Sequence, residues 1–135
     1  MSLMCDDIAT FLVAQGVGTT AAPSPTIMVG RLEAKPDNAV CLTQRMGRRS
    51  VRAMGNTIVY DQPNLQVTAR NVDSAASETV AVTVYALLDG KTGLINGVEY
   101  PYIEAMHPPE YVGIDENRRH LFTVNFHVRR RRTLP

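Results

Sequence analysis

GIDENRRHLFTVNFHVRRRR, residues 113–132, is the stretch on which the reading of the fold turns. His120, Phe122, Val124, Phe126 and Val128 share one parity, and Leu121, Thr123, Asn125, His127 and Arg129 share the other. Successive side chains of a strand point to opposite faces, so this alternation predicts a half-buried strand with an apolar inner side. The Asp, Glu and Asn ahead of it are turn formers. Asp115 and Glu116 therefore read as turn chemistry and solubilising charge rather than as an acid–base pair. Arg129, Arg130, Arg131 and Arg132 prolong the strand. Such a run is a solvated end, a contact to another protein or a contact to phosphate. No aromatic residue interleaves with these arginines, so stacking on single-stranded bases is not implied.

The rest of the chain is read outward from that strand. Residues 3 to about 15 have helical spacing at Met4, Ile8, Phe11, Leu12 and Ala14 or Gln15, with Ser2 as the expected N-cap. Asp6 and Asp7 lie at the positive end of the helix dipole, and Gly16 and Gly18 stop the helix. GTTAAPSP reads as a loop. TIMVGRL and NAVCLTQ read as strands on either side of a turn containing Pro36, Asp37 and Asn38. Residues 44–56 have two glycines, four arginines and no clean period, and are expected to form a long exposed loop or hairpin tip. TIVY is a short strand candidate and DQPN a turn. Leu65, Val67 and Ala69 then alternate with polar residues as a second half-buried strand.

Asp73 or Ser74 can cap a second helix through VAVTVYALL, with Ala76, Val80, Val84, Leu87 and Leu88 on one face. Its β-branched content makes a strand the alternative. Asn96-Gly97 is a hairpin turn, Pro101 suggests a sheet edge or bulge, and HPPEYVGI leads to another short extended piece. Helix, strands, helix, strands predicts an α+β fold. We expect a mainly antiparallel sheet of about four to six strands with two helices packed on one face.

The 135 residues suit one domain. Fourteen basic against thirteen acidic residues give a net charge of +1, too balanced for a protein whose main task is clasping phosphates. The basic charge is nevertheless clustered, at Arg45, Arg48, Arg49 and Arg52 and again at Arg129 to Arg132. These eight are the candidate partner-contact residues. No run of about 18 apolar residues offers a membrane span, and the acidic N-terminus does not read as a secretory signal. Cys5 and Cys41 are expected to be buried free thiols. Cys5 lies in a first helical turn, where a thiol can be activated, but no partner base is legible. His120 and His127 are an odd number apart and face opposite sides of one strand, and His107 precedes two prolines. No ligand spacing or nucleophile motif is present, and AQGVGTT follows a helix rather than a strand, so it lacks the context of a phosphate-binding loop. Neither catalytic residues, nor a cofactor, nor a metal is expected.

The segment GIDENRRHLFTVNFHV resembles the C-terminal block of a family of small phage proteins, in which a G-x-D-x-x-x-R turn leads into an alternating strand with a central Asn. DQPNLQVTARN, residues 61–71, resembles that family's central block, and IMVGRLEAKPDNAVCL fits the same order. The family is the bacteriophage minor capsid protein, similar in design to the tail terminators of long-tailed phages. The resemblance spans nearly all of the single domain expected over residues 1–135, but the arginine-rich loop at 44–56 and the basic C-terminal arm at 129–135 exceed the family pattern and take no role from it. It implies a non-enzymatic subunit of a closed ring, expected to be a homohexamer. This ring would cap the tail tube protein and meet the connector or head-closure protein at the tail–neck junction of the virion after assembly in the host cytoplasm. DNA would pass through its lumen without sequence recognition, and no membrane is involved. The other readings are a head-closure or tail-completion protein of the same neck, or a small DNA-binding protein.

Overall fold

The computed structural model describes residues 3–21, 25–52 and 57–132. The elements run α1 (Met4–Ala14), β1 (Ile27–Val29), β2 (Ala39–Arg52), β3 (Val59–Asn71), α2 (Ser74–Leu88), β4 (Gly93–Ile95), β5 (Val98–Tyr100), β6 (Tyr102–Ala105), β7 (Glu110–Ile114) and β8 (His120–Arg131). One sheet of six strands has the order β1-β2-β3-β8-β6, with β7 also on β8, and β4 and β5 form a separate hairpin. Every pairing is antiparallel except that of β1 with β2. The architecture is the expected α+β one.

β8 organises the sheet. Phe122, Val124, Phe126 and Val128 are buried along one parity. They lie level with Ala69 (Phe122), Val67 (Val124) and Leu65 (Phe126) on β3. With Val40 and Leu42 of β2 they make the apolar side onto which the helices pack. On its other side β8 is shared, by β7 over residues 120–123 and by β6 over 126–129. The outer edge of β6 is closed by the segment after α2, where Gly90 N–H donates to Ile103 O (2.8 Å) and Ile103 N–H to Lys91 O (3.0 Å). Pro101 stands between β5 and β6, where the chain changes sheet.

Residues 44–52 are not the exposed loop their composition predicts. They continue β2, which pairs with β3 as far as Arg52–Val59, and residues 53–56 lie outside the described residues. DQPN is likewise not a turn, because β3 runs unbroken through Pro63. The turn reading of DQPN came from Pro63 and its polar neighbours; the loop reading of 44–52 came from two register shifts in β2, between Arg45 and Arg48 and between Arg48 and Val51. Each bulge adds a residue on one strand and reverses the parity beyond it, so no single period survives in the sequence. A Cβ on Gly47 would stand 1.9 Å from the carbonyl oxygen of Gln62, so only glycine allows the strands to meet there.

Gly16, at φ +80°, ends α1 with Val17 N–H donating back to Leu12 O (3.0 Å), the Schellman arrangement. The expected cap Ser2 lies outside the described residues. The N-cap position is Leu3, which offers no side-chain bond. The buried stripe is Met4, Cys5, Asp7, Ile8, Ala9 and Leu12, whereas Ala14 and Gln15 are exposed. α2 is a helix as read, capped by Asp73, which accepts from Ala75 N–H (3.2 Å). Its Thr79 and Thr83 hydroxyls return to carbonyls one turn back, so these β-branched residues stay satisfied in the helix. Ser77, Ala81, Val84 and Leu88 form its buried face, turned from the expected stripe, of which Ala76, Val80 and Leu87 are only half-buried. Asn96 and Gly97, at φ 51° and 79°, make the type I′ turn joining β4 to β5. Among the described residues no helix is long and apolar enough to cross a membrane.

Candidate assembly surface and its arginine network

The two arginine clusters, some eighty residues apart in sequence, meet at one end of the sheet. β2 and β3 form a hairpin whose far end lies level with the end of β8: Val51 pairs with Tyr60 and Tyr60 with Arg131. This brings eight of the chain's fourteen Lys and Arg to one place. Their roles differ according to the face each residue occupies.

On the helix-free face, the Arg48 guanidinium donates to the Tyr102 hydroxyl (2.5 Å) and Arg129 donates to Gln62 Oε1 (2.9 Å). The Arg129 guanidinium also stacks 5.1 Å from the centre of the Tyr102 ring. Gln62 Nε2 in turn donates to the carbonyl of Arg49 (2.7 Å), pinning the bulged part of β2. Arg45 is held by a forked contact to Gln66 Oε1 (2.9 and 2.7 Å). Farther along the same face, His127 meets Asn64 (3.0 Å) and His107 meets Asn125 (2.9 Å). Hydroxyls, amides and positive charge thus cover the face opposite the helices.

At the rim, Arg132 donates to Asp61 (2.7 Å) and to Ser50 Oγ (3.3 Å), and Ser50 donates to the same carboxylate (2.7 Å). Arg131 lies 3.6 Å from Glu99, beside a groove of about 500 Å³ lined by Leu94, Val98 and Arg132 among others. Arg49 and Arg52 are exposed and make no side-chain bond or ion pair among the described residues.

Arg130 goes inward. It continues the buried parity of β8 and is only 8% exposed. Its Nε donates to Asp7 (3.1 Å) and to the Tyr100 hydroxyl (2.9 Å), and Tyr100 donates a short hydrogen bond to the same carboxylate, which Asn96 also reaches (3.1 Å). The cluster ties α1, the β4–β5 hairpin and the end of β8 together. Burial, then the Asp7 hydrogen bond, push the Tyr100 hydroxyl up and keep it protonated. Burial opposes the Arg130 charge, but the Tyr100 and Asp7 contacts outweigh it. Sequence reading placed Asp7 at the helix dipole and Arg130 in a basic arm that reaches a neighbour or stays solvated. The missed signal was parity, since 122, 124, 126, 128 and 130 are one series. Arg129 to Arg131 therefore belong to the sheet, Arg132 N–H bonds Val59 O (2.8 Å), and residues 133–135 lie outside the described residues.

The opposite end of the sheet has its own buried arginine. Asp115 accepts from the backbone N–H groups of Asn117 and Arg119 (both 2.9 Å) and pairs with the Arg119 guanidinium (2.8 Å). Arg119, 6% exposed, also reaches the carbonyl of Ala34 and the Asp37 carboxylate (3.5 Å). Arg70 binds the carbonyls of Pro36 (2.5 Å) and Asp37 (3.1 Å). The turn before β8 is structural, as expected.

Two of these carboxyls sit below the ordinary range: Asp61 through the Arg132 hydrogen bond, against some burial, and Asp115 through the Arg119 backbone N–H. Both are depressed on folding. Their contribution is complete above about pH 4, where the unfolded carboxyl is ionised, and is lost as pH falls through the lower folded values. The urea midpoint is therefore expected to fall between about pH 5 and pH 2.5, and Asp61→Asn to flatten part of that fall. A midpoint independent of pH in this window would contradict the assignment.

Cys5 and Cys41 are free and buried. Burial, with the Asp6 charge beside it, pushes the Cys5 thiol up to about 11, the reverse of activation. His127 bonds Asn64 on the helix-free face, whereas His120 stands by Tyr111 (2.9 Å) next to the buried Phe122. Among the described residues no group of three or more His, Cys, Asp or Glu could hold a metal ion.

A chain of a solved structure titled "Virion of native gene transfer agent (GTA) particle" matches with a TM-score of 0.56 and 11% identity, over 79% of each chain, a likeness of fold alone. No curated protein matches the sequence. The family model described as bacteriophage tail terminator protein matches residues 11–131, and the chain belongs to that family. It is thus a structural protein of a phage tail and a component of the virion, which bears out the tail-terminator side of the resemblance read from residues 61–71 and 113–128.

Proposed function

We propose that the chain is the subunit of a closed ring, a homohexamer, that caps the head-proximal end of the tail tube and joins it to the connector or head-closure protein, with DNA passing through the lumen. Membership of the tail terminator family over residues 11–131 carries this reading. The arginine-bearing end of the sheet, which includes residues 44–52 and 129–132, is the surface that meets a neighbour in the neck. The protein acts by shape rather than by catalysis.

The chemistry of that surface argues against a dedicated DNA-binding protein. Six of the eight arginines are engaged within the chain. Each phosphate contact steepens the salt dependence by nearly one unit of log–log slope, so the two unengaged arginines give only weak, salt-sensitive attraction. Weak attraction suits a channel through which DNA must slide. Arg49 and Arg52 are the groups left to pair with acids on a partner.

Arg49→Glu with Arg52→Glu tests this role. The variant should fold with an unchanged melting temperature, since neither side chain has a partner to lose among the described residues, yet joining of tails to heads should fall by about a hundredfold, as expected when two interface charges are reversed. Unchanged yields of joined particles would show that this end docks nothing. Absence of the chain from purified tails, or a copy number that cannot close a ring, would sink the reading as a whole.

A further inference from the structure

We propose that the sheet continues from one copy of the chain to the next by strand addition, with β7 of one copy pairing antiparallel with the outer edge of β2 in its neighbour. The proposal rests on the ring reading above and names the contact that builds it.

The sheet has two open edges. β1 covers the outer side of β2 only as far as Leu42. Among the described residues, no strand pairs with that side from Thr43 to Arg52. On the other side the β6 edge is closed by the segment after α2, but β7 pairs with β8 alone. An open edge presents unpaired N–H and C=O groups, and folded proteins commonly protect it with charge, proline or extreme shortness. β7 is short and has a bulge between Tyr111 and Gly113, but its side chains do not protect it: Tyr111, Val112 and Ile114 are 47%, 60% and 54% exposed. The β2 edge exposes Met46 (94%) and Val51 (39%) among its arginines.

The two edges match in charge and direction. Residues 44–52 hold four arginines and no acid, whereas exposed Glu110 opens β7 and exposed Glu116 follows it. Arg118 in the same turn leaves that end only mildly acidic. Apolar side chains and the backbone ladder therefore carry the contact, and charge sets its direction. β2 and β8 run the same way, because each is antiparallel to β3, and β7 runs against β8. A neighbour in the same orientation thus presents β7 antiparallel to β2, the more stable kind of ladder. Because the two edges differ, the contact is heterologous, the type that closes into a ring when the rotation allows.

Four double variants sample the register: Met46→Cys or Val51→Cys, each combined with Val112→Cys or Ile114→Cys. The native thiols are buried and do not compete. Oxidised in assembled tails, at least one pair should give a ladder of covalent multimers ending in a closed species, while each single variant gives no ladder. Tails that contain the chain but yield no multimer from any pair would overturn strand addition and leave the ring standing, with the edges holding another tail protein. Tails that lack the chain would end both ideas. Hydrogen exchange on the unmodified chain reads the same contact without substitution. Amides in 43–52 and 110–114 should exchange about tenfold more slowly in tails than in the isolated monomer. Equal rates would overturn the proposal even if the cysteine variants misfold.

Discussion

Asp7→Ala is expected to cost about 3–5 kcal/mol of folding free energy, the usual consequence of removing one partner from a buried ion pair. For a domain of this size that is a fall in Tm of roughly 10–15 °C. Asp7 is fully buried, and its carboxylate takes the hydrogen bonds of Arg130, Tyr100 and Asn96. Deleting it takes the carboxylate away from the Arg130 guanidinium and the Tyr100 hydroxyl, both largely shut off from water. The loss comes from a buried charge that has lost its counter-ion, so the pair Asp7→Leu with Arg130→Met should recover more than half of it. Thermal melts of the single and paired variants decide the matter. If the paired variant is no more stable than Asp7→Ala, the cluster stabilises by a route other than the one described.

Arg119→Ala should cost about 3 kcal/mol, because charge-assisted hydrogen bonds are worth roughly 1.5–3 kcal/mol each and this side chain makes several. It joins the Asp115 turn to the loop before β2, through Ala34 and Asp37. The damage should be local. Amides in residues 33–38 and 115–119 should lose exchange protection before those of β3 and β8 do. Arg118→Ala is the control. Arg118 is exposed, and its loss should stay within about 0.5 kcal/mol. Equal effects at the two positions would remove Arg119 from the role assigned here.

The contrast between these neighbours shows where sequence reading succeeds. Wherever a strand kept its parity, its faces were legible: Phe122 to Val128 and Leu65 to Ala69 are buried as their alternation predicts. The caps and turns at Asp73, Gly16 and Asn96-Gly97 were legible because their chemistry is local. Residues 44–52 were misread because two bulges shift the parity, and Pro63 imitated a turn inside a strand. As for the candidate surface, composition picked out all eight arginines but left the same open readings for each run and did not tell one residue from the next. Arg130 is buried, Arg129 and Arg48 brace Tyr102, and Arg49 and Arg52 remain exposed without a partner among the described residues.

Sequence alone determined the class of fold, the strand that anchors it and the kinship with tail proteins, because alternation, capping and turn formation depend on residues close together in the chain. Only the tertiary structure decided which charges are spent inside the molecule and which edges are left open. Asp7 meets Arg130 across more than a hundred residues, and β2 and β7 become the free edges only once β8 has taken its place between β3 and the β6–β7 pair. Such contacts are set by the packing of whole elements, and nothing in the local order of residues records them.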